Sequence, residues 1–420
     1  MGVNALFASA IAGIRRRVPQ AEIVAFDTLL GDRRQAMSVD AGDPVDIRFL
    51  GFRTGRRLNR SENLRNMEIC RRLGPIGRGL NPGVRALYDS DAVLDVSGGD
   101  SFTDMYPDQR ITGIAGCKEL VLRLGKPLVL LPQTYGPFNE SRDRAISIVR
   151  GATACFARDN RSFETLKSLL GSEFDPDRHR CGVDMAFGLD AKSAMAKLPP
   201  RLADLVANDD VTRIGLNVSG LITNRRGVDK SHYGFKADYH SVMKGFVEAM
   251  LQETSVEIVL VPHVMSPIGS SESDLQACEW LRSCFDADCQ ERITISPTSL
   301  DQCEVKWLIS RLHWFCGTRM HATIAGLSTH VPTATVSYSD KAQGVFESCG
   351  QGGEVFDPRK IGTEEVVEKM KDSFARRDQI LASLQDRIPA VKKAAEDQMS
   401  DLVSILSNIA SSHASDVGSS

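Results

Sequence analysis

The sequence predicts an α/β protein of two doubly wound domains, each with a parallel sheet between layers of helices. Three observations predict this class. Short apolar runs alternate with helical stretches, as expected for strands joined by crossover helices. The runs are apolar almost throughout, which is typical of strands buried on both faces. The alternation weakens once, near residue 200, and then resumes.

The first domain is predicted to span residues 1–192. Its predicted strands are 22–26, 92–96, 127–131 and 154–157, with helices that include 2–14, 145–150 and 162–170. Three arginines follow the apolar stretch 2–14. Because a secretory signal carries its charge before its apolar stretch, a buried amphipathic helix is the better interpretation.

A linker is predicted at 193–210, where prolines and an Asn-Asp-Asp cluster interrupt the pattern. The second domain is assigned to 211–355, with strands at 213–218, 257–261, 293–295, 313–316 and 333–336 and helices at 237–253, 274–285 and 305–311. Helices are expected over 356–410 and a disordered tail over 411–420. A cleft between the carboxyl ends of the two sheets is the expected ligand site.

Composition excludes several classes of protein. The 420 residues are 42% hydrophobic and 25% charged, with a net charge of −3, so the chain is neither disordered nor a strongly basic nucleic-acid binder. No apolar run approaches the ~18 residues of a membrane span. The ten cysteines form no CxxC pair, which favours reduced thiols in a cytoplasmic protein over a zinc site.

Segment 48–85 has an unusual charge pattern. It contains ten Arg and no Lys, opposed only by Glu62 and Glu68. A solvated irregular insertion is the simpler interpretation. The alternative is a surface for an anionic acceptor or for an acidic membrane face.

The strongest local signal is an apolar strand that ends at Gly317 and leads into Arg319 and His321, where a helix should begin. A helix N-terminus and an Arg together suit a phosphate or carboxylate, and the His can donate to the same anion or exchange a proton. The alternative is an ordinary strand–turn–helix. Lys341 follows the next strand and is expected on the same rim.

The first domain offers a second set of polar residues at strand ends. Gly98 and Gly99 follow the strand at 92–96 and allow close approach of a ligand to the backbone. The carboxylates of Asp100 and Asp104 come next and suit a sugar hydroxyl or general-base chemistry, or else a helix cap. Further strand ends carry the remaining candidates, Gln133, Tyr135, Arg158 and, in the second domain, His263.

Together these segments resemble the polysaccharide pyruvyl transferase family. The family pattern has a glycine-rich turn ending in an acid, a Pro-x-x-x-Gly-Pro loop, an Arg-Asp pair, a Pro-His strand end, and Arg-x-His-Ala followed by Tyr-x-x-Lys. These motifs stand at 98–104, 132–137, 158–159, 262–263, 319–322 and 338–341. Members usually begin with a strand and a glycine turn, and this sequence starts at the end of that turn, so the first strand is expected to be missing.

The resemblance implies two Rossmann-like domains facing a cleft, as in GT-B glycosyltransferases, with the acceptor on the first domain and the donor on the second. It implies transfer of a pyruvyl group from phosphoenolpyruvate to a sugar of a cell-surface or exopolysaccharide, carried as a glycan or lipid-linked oligosaccharide. Phosphate is released, and no metal or cofactor is implied. The expected location is the cytoplasm, with segment 48–85 as a candidate contact with the inner membrane face.

The same resemblance suggests roles for the candidate residues. Arg319 and His321 would hold the phosphate, with His321 also a candidate acid, and Asp104 or Asp100 would bind or deprotonate the sugar. The expected substrate-binding residues are Arg158, Lys341, His263, Gly98, Gly99, Asp100, Gln133 and Tyr135. Two alternatives remain: a GT-B glycosyltransferase that uses a nucleotide sugar, and an inactive glycan-binding relative.

Overall fold

The computed structural model describes residues 1–55, 58–99, 102–104, 108–224 and 234–417. The chain forms two compact units. The N-terminal unit comprises Leu6–Met185 and the residues from Ala394 onward, and the C-terminal unit comprises Ala186–Lys393 with Met1–Ala5.

The N-terminal unit contains seven strands in its described part. The strands are β1 (Val24–Asp27), β2 (Asp32–Met37), β3 (Val45–Gly51), β4 (Val93–Asp95), β5 (Leu128–Gln133), β6 (Ala154–Ala157) and β7 (His179–Cys181). The helices that begin before Met185 are α1 (Gly2–Arg17), α2 (Leu64–Arg72), α3 (Pro75–Leu80), α4 (Pro82–Asp89), α5 (Asp108–Arg123), α6 (Arg142–Gly151) and α7 (Asn160–Leu170). A short 3₁₀ turn, Ser97–Gly99, follows β4.

The strands of this unit form two sheets. Strands β4, β5, β6 and β7 lie side by side in chain order and are all parallel. A separate three-stranded sheet has the order β1-β3-β2, with β1 parallel and β2 antiparallel to β3. The predicted strand at 22–26 therefore belongs to this small sheet and not to the main one.

The C-terminal unit is built on one six-stranded sheet. Its strands are β8 (Arg213–Asn217), β9 (Glu257–Leu260), β10 (Ile293–Ile295), β11 (Trp314–Gly317), β12 (Thr333–Val336) and β13 (Val355–Phe356). The helices are α8 (Pro200–Ala207), α9 (Gly220–Thr223), α10 (Tyr239–Glu253), α11 (Asp274–Ser283), α12 (Ala287–Glu291), α13 (Gln302–Ile309), α14 (Met320–Ser328), α15 (Lys341–Ser348), α16 (Thr363–Ala375) and α17 (Arg377–Val417).

All neighbouring strands of this sheet are parallel, in the order β10-β9-β8-β11-β12-β13. This order winds outward in both directions from β8, as in Rossmann domains. Both faces are covered. Trp314 and Cys316 pack into one apolar cluster with α10 and α16, whereas Phe315 packs into the opposite cluster with α8, α13 and α14. Burial on both faces explains why the strands are apolar throughout.

Three sequence predictions need correction. The segment 193–210 is not a loose linker, because it forms α8, whose Leu202 and Val206 are buried. Helix α17 runs to Val417, past the predicted start of a tail at 411. Segment 48–85 is only partly irregular where it is described, since it includes the end of β3, all of α2 and α3, and the first turn of α4.

In the part of the chain that the structure describes, none of the helices is both long enough and apolar enough to cross a membrane.

Candidate functional site

The strand order of the C-terminal unit identifies one end of the sheet as a ligand site. Parallel sheets of this type bind ligands beyond the carboxyl ends of the strands where the winding direction reverses. Here that point lies between β8 and β11, whose last residues, Asn217 and Gly317, are directly paired. The segments that leave these two strands therefore form the candidate site.

Arg319 stands at this point, at the beginning of α14. Its backbone N–H donates to Asn217 Oδ1 at 2.9 Å, which fixes the helix start against β8. The side chain of Arg319, at the N-cap position, forms no capping hydrogen bond with α14. Uncapped N–H groups at the positive end of a helix dipole suit an anion, so the predicted anion site has the expected backbone geometry.

The Arg319 side chain is held by Asp274, the first residue of α11. Arg319 Nη2 donates to Asp274 Oδ1 at 2.8 Å and Nε donates to the same oxygen at 3.2 Å. Asp274 also accepts hydrogen bonds from the backbone N–H groups of Gly220, His263 and Val264. One buried carboxylate thus joins the segments after β8, β9 and β11. Sequence reasoning missed Asp274, because an Asp in the first turn of a helix is ordinary.

His263 follows β9 and contributes an unsatisfied ring. The residue is 4% exposed, and neither ring nitrogen has a hydrogen-bond partner among the described residues. Burial, together with electrostatic interactions with the Met1 N-terminus, His321 and Arg319, holds the pKa of His263 well below its usual value. The free site therefore contains a neutral imidazole that can bond to a ligand.

His321 is the second residue of α14 and lies against the first turn of α1. A side chain at Gly2 would bring its Cβ within 2.5 Å of His321 Nδ1. Glycine at position 2 therefore allows α1 to pack directly on the imidazole. His321 and His263 line the same small cavity.

Lys306 on α13 lines that cavity too. The residue is buried, and its Nζ donates to the carbonyl oxygens of Leu189 at 2.6 Å and Ala186 at 3.4 Å. Burial lowers the pKa of Lys306 to about 7. Sequence reasoning missed this residue, although a single Lys within the apolar run Val305–Ile309 was a usable signal.

The last cation predicted for this rim is Lys341, which begins α15 after β12. Because β12 is the neighbour of β11, Lys341 leaves the sheet from the same edge as Arg319. The structure thus brings Arg319, His321 and His263 together and adds Asp274 and Lys306, with Lys341 one strand further along.

The N-terminal unit gathers a second group of predicted residues at the carboxyl ends of β5 and β6. The Arg158 backbone N–H donates to the Gln133 carbonyl at 3.3 Å, so the two residues are neighbours. Gly99 is joined to the same edge, since its carbonyl accepts from Thr134 N–H at 2.8 Å. Gly98 lies in the 3₁₀ turn beside it.

Several buried polar atoms at this edge have no hydrogen-bond partner among the described residues, although Arg158 Nε lies 3.7 Å from Asp159 Oδ2. In the described part of the chain, neither amide atom of Gln133, nor the Tyr135 hydroxyl, nor Nε and Nη2 of Arg158 has a hydrogen bond. The Arg158 side chain is fully buried and reaches Asp184 at 3.4 Å. Because buried polar groups are normally satisfied, these atoms form a set of donors and acceptors that a polar ligand would complete.

Asp104 has a different environment from that expected of a catalytic base. Its Oδ2 accepts from the N–H and hydroxyl of Ser141 at 3.3 and 3.1 Å and from the backbone N–H of Asn139 at 2.5 Å. The carboxylate therefore holds the turn before α6. Asp100, the other predicted carboxylate, lies outside the described residues.

A second residue missed from the sequence is Lys118 of α5. Its side chain is fully buried, and Nζ lies 2.8 Å from Asp95 Oδ1 and donates to the Ser97 hydroxyl. Lys118 thus anchors the turn that carries Gly98 and Gly99. Nothing in the amphipathic pattern of α5 distinguished it from a surface lysine.

Across the described ranges, no cluster of three or more His, Cys, Asp and Glu side chains has the arrangement needed for a metal ion.

Comparison with known proteins agrees with this architecture. The solved structures that are similar to the chain include α,α-trehalose 6-phosphate synthase from Burkholderia multivorans, with a TM-score of 0.54 and 10% identity over 96% of this chain and 94% of that one. An E. coli trehalose-6-phosphate structure bound with UDP-2-fluoro glucose has a TM-score of 0.51 and 11% identity, with 94% of each chain covered.

A Listeria monocytogenes protein assigned as a UDP-N-acetylglucosamine 2-epimerase has a TM-score of 0.52 and 16% identity, over 84% of this chain and 81% of that one. At these identities the likeness concerns the fold alone, which is of the GT-B class, as the sequence predicted. A comparison with curated protein sequences finds no match.

A sequence model of the polysaccharide pyruvyl transferase family matches residues 1–340. The match includes the motifs that carried the resemblance from the glycine turn at 98–104 to Arg-x-His-Ala at 319–322, and it ends one residue before Lys341 of the Tyr-x-x-Lys motif. It covers most of the 420 residues. The chain therefore belongs to the polysaccharide pyruvyl transferase family and is a transferase.

Proposed function

We propose that the protein transfers a pyruvyl group from phosphoenolpyruvate to a sugar of a cell-surface polysaccharide or exopolysaccharide, with release of phosphate. The observation that carries this proposal is the anion site of the C-terminal unit. There, Arg319 stands at the uncapped start of α14, beside the unsatisfied ring of His263. Family membership supports the same reaction.

The donor presents two anionic groups, a phosphate and a carboxylate, which need converging donors. The N–H groups at the start of α14 and the Arg319 guanidinium bind the phosphate. Arg319 uses Nε and Nη2 for Asp274, which leaves the Nη1 hydrogens for the ligand. His263 donates one hydrogen bond to the donor, and Lys341 adds positive charge at the rim.

The reaction needs proton transfers and stabilisation of a leaving phosphate. Two sugar oxygens form bonds to C2 of the donor, and the bond from C2 to the phosphate oxygen breaks. The methylene carbon C3 becomes a methyl group by gaining one proton. Two hydroxyl protons are released in all, so one balances the proton on C3 and the other leaves with phosphate. His321, at the second position of α14, donates to the departing phosphate.

The acceptor sugar binds the N-terminal unit. The unsatisfied groups of Gln133, Tyr135 and Arg158 supply hydrogen-bond donors and acceptors for hydroxyl groups. Gly98 and Gly99 keep the adjacent turn free of side chains. Asp100 is the carboxylate proposed for the reacting hydroxyl, because Asp104 is engaged with Asn139 and Ser141. The proposal assigns no cofactor.

The test is a two-substrate assay on the full chain with phosphoenolpyruvate and a panel of oligosaccharides. We expect phosphate release that requires both substrates, together with a new ketal methyl signal in the NMR spectrum of the product. Thermal unfolding with each donor provides a second measurement. Phosphoenolpyruvate should raise the unfolding temperature and UDP-sugars should not.

The opposite result would favour a nucleotide-sugar glycosyltransferase. If a UDP-sugar gives stabilisation and turnover and phosphoenolpyruvate gives neither, the proposed donor is wrong, and the description of the fold is unaffected. Glycan binding that survives in Arg319→Ala, with no turnover in the wild type, would instead support a non-catalytic binding protein.

A further inference from the structure

The structure exposes a concentration of large apolar side chains on α2, α3 and the residues just before them. Those that lie at the surface between positions 58 and 80 are Leu58, Ile69, Leu73, Ile76 and Leu80. Ile76 and Leu80 are 69% and 68% exposed. Single exposed apolar residues are common, but a cluster at the surface marks an interaction site.

The helical spacing explains why these side chains share one surface. Helix α2 buries Met67 and Cys70, so Ile69 and Leu73, four residues apart, lie on its outer side. Ile76 and Leu80 are four residues apart on α3 in the same way. The two helices meet at backbone contact, since a Cβ on Gly77 would lie 1.8 Å from the Cys70 carbonyl oxygen. The two outer rows are therefore adjacent.

Exposed arginines lie on the same helices and on the neighbouring α4. They are Arg65 and Arg72 on α2, Arg78 on α3, and Arg85 on α4. Arg85 is directed at α3, because its Nη2 and Nε donate to the carbonyls of Gly79 at 3.1 Å and Arg78 at 3.4 Å. We call these four arginines and the five apolar residues the α2–α3 face.

Acidic groups offset only part of this charge. Glu68 pairs with Arg71 at 2.8 Å and with Arg72 at 3.4 Å, and Asp89 pairs with Arg78. Ten Arg against two Glu give segment 48–85 a net charge of +8 in a chain whose total is −3. In the described part of the chain Arg72 and Arg78 are paired, whereas Arg65 and Arg85 form no ion pair. The α2–α3 face is thus apolar and keeps a positive charge.

We propose that the α2–α3 face docks the protein on the surface of a bilayer that contains anionic lipids. Leu and Ile side chains that insert at the acyl boundary, ringed by basic residues that meet headgroups, are the features of interfacial helices. Guanidinium groups also match phosphate oxygens in a bidentate manner. This inference does not depend on the proposed donor or acceptor.

Charge argues against a second copy of the chain as the occupant. A two-fold interface places the same patch on both partners, so the arginines of one face would meet those of the other. The face also lacks exposed aromatic residues, which usually anchor protein partners.

The test is flotation of the full chain with vesicles of phosphatidylcholine alone or mixed with phosphatidylglycerol. We expect binding to the mixed vesicles and its loss at high salt. The pair Ile76→Ser and Leu80→Ser, and separately the pair Arg65→Gln and Arg72→Gln, should each weaken binding about tenfold or more. The matched controls Ile268→Ser and Arg282→Gln, exposed on the C-terminal unit, should bind like wild type.

A second measurement does not depend on whether the serine variants fold. Ile76→Trp should shift its fluorescence to shorter wavelength when mixed vesicles are added, relative to the wild type with its three native Trp. Failure of the wild type to float with the mixed vesicles would overturn the proposal. So would a dimer, measured by light scattering, that dissociates in the Ile76→Ser and Leu80→Ser pair without any vesicle binding.

Discussion

Asp274 and Arg319 form an ion pair in which the carboxylate is completely buried and the guanidinium is 14% exposed. The carboxylate also accepts from three backbone N–H groups, including that of Gly220 at 2.9 Å. Asp274→Ala should therefore cost about 3–5 kcal/mol in free energy of unfolding, because it leaves a guanidinium and three amides unpaired. Arg319→Ala should cost less, since Asp274 keeps its amide donors. Urea unfolding measures both, and equal losses would show that Asp274 serves only Arg319.

Arg319 and His321 are expected to act on the donor and not on folding. Arg319→Gln and His321→Gln should each lower kcat/KM for phosphoenolpyruvate about 100-fold to 1,000-fold, with circular dichroism unchanged. Arg311→Gln is the matched control, because Arg311 is exposed and precedes β11 at the opposite end of the strand. Wild-type turnover in either site variant would contradict the assignment.

Donor binding should take up protons through His263. Burial lowers the pKa of the free imidazole, and a bound anion raises it. The affinity should therefore increase as the pH falls through the pKa of the bound imidazole. Calorimetry in buffers with different heats of ionisation gives the number of protons taken up, which should fall in His263→Gln. His330→Asn is the control, because burial lowers the pKa of His330 too and Asn tolerates its φ of +64°. If His263→Gln takes up as many protons as the wild type, His263 is excluded as the group that is protonated on donor binding.

Lys306 should make stability depend on pH above neutrality. Its pKa is about 7 in the folded chain against 10.5 ordinarily, so between these values the unfolded chain binds a proton that the folded chain does not. The free energy of unfolding therefore rises with pH between these two values. Below pH 7 the burial of Lys306 destabilises the folded chain by its full amount, at most about 5 kcal/mol. Lys306→Met should flatten the rise in urea midpoint between pH 7 and pH 9. The exposed Lys244→Met should not.

Gly220 should tolerate no side chain. A Cβ there would lie 2.3 Å from the Ser273 carbonyl oxygen and 2.8 Å from the Ser273 nitrogen, and backbone atoms cannot move aside as a side chain can. Gly220→Ala should cost about 1–3 kcal/mol and weaken donor binding, because Ser273 precedes Asp274. Thermal unfolding measures the loss of stability. Gly353→Ala, where no atom lies within 4 Å of the added Cβ, should be nearly neutral in that measurement.

The apolar strands could be predicted from the sequence because burial on both faces removes polar residues from them. The predicted strands at 154–157, 293–295 and 333–336 have the observed bounds. Strand β2, with the sequence Asp-Arg-Arg-Gln-Ala-Met, was missed because it is mostly exposed at the edge of a small sheet. Its pairing with β3 is supported by the Arg48–Asp32 ion pair, which local apolar pattern does not reveal.

The candidate site could be predicted only for residues placed directly at strand ends. Arg319 and His263 are predicted in this way, since each follows an apolar strand. Asp274 lies 13 residues beyond Val261 on the next helix, and only the folded chain shows that its carboxylate accepts from the segment after β8. The sequence predicts a role for Asp104 in binding or deprotonating the sugar because it ends a glycine-rich turn. Its hydrogen bonds to Ser141 could not be predicted, since the two residues are far apart in the sequence.

The partner of Arg319 bears on which anions the enzyme can take up. A guanidinium already neutralised by a buried carboxylate offers little net attraction to chloride or another monovalent ion. A ligand gains from this site only by also engaging the N–H groups of α14 and the imidazole of His263, which requires several oxygen acceptors on one molecule. The ion pair therefore weakens binding of small anions and favours ligands that carry several acceptor oxygens in the right arrangement. Competing salts should inhibit donor binding only weakly.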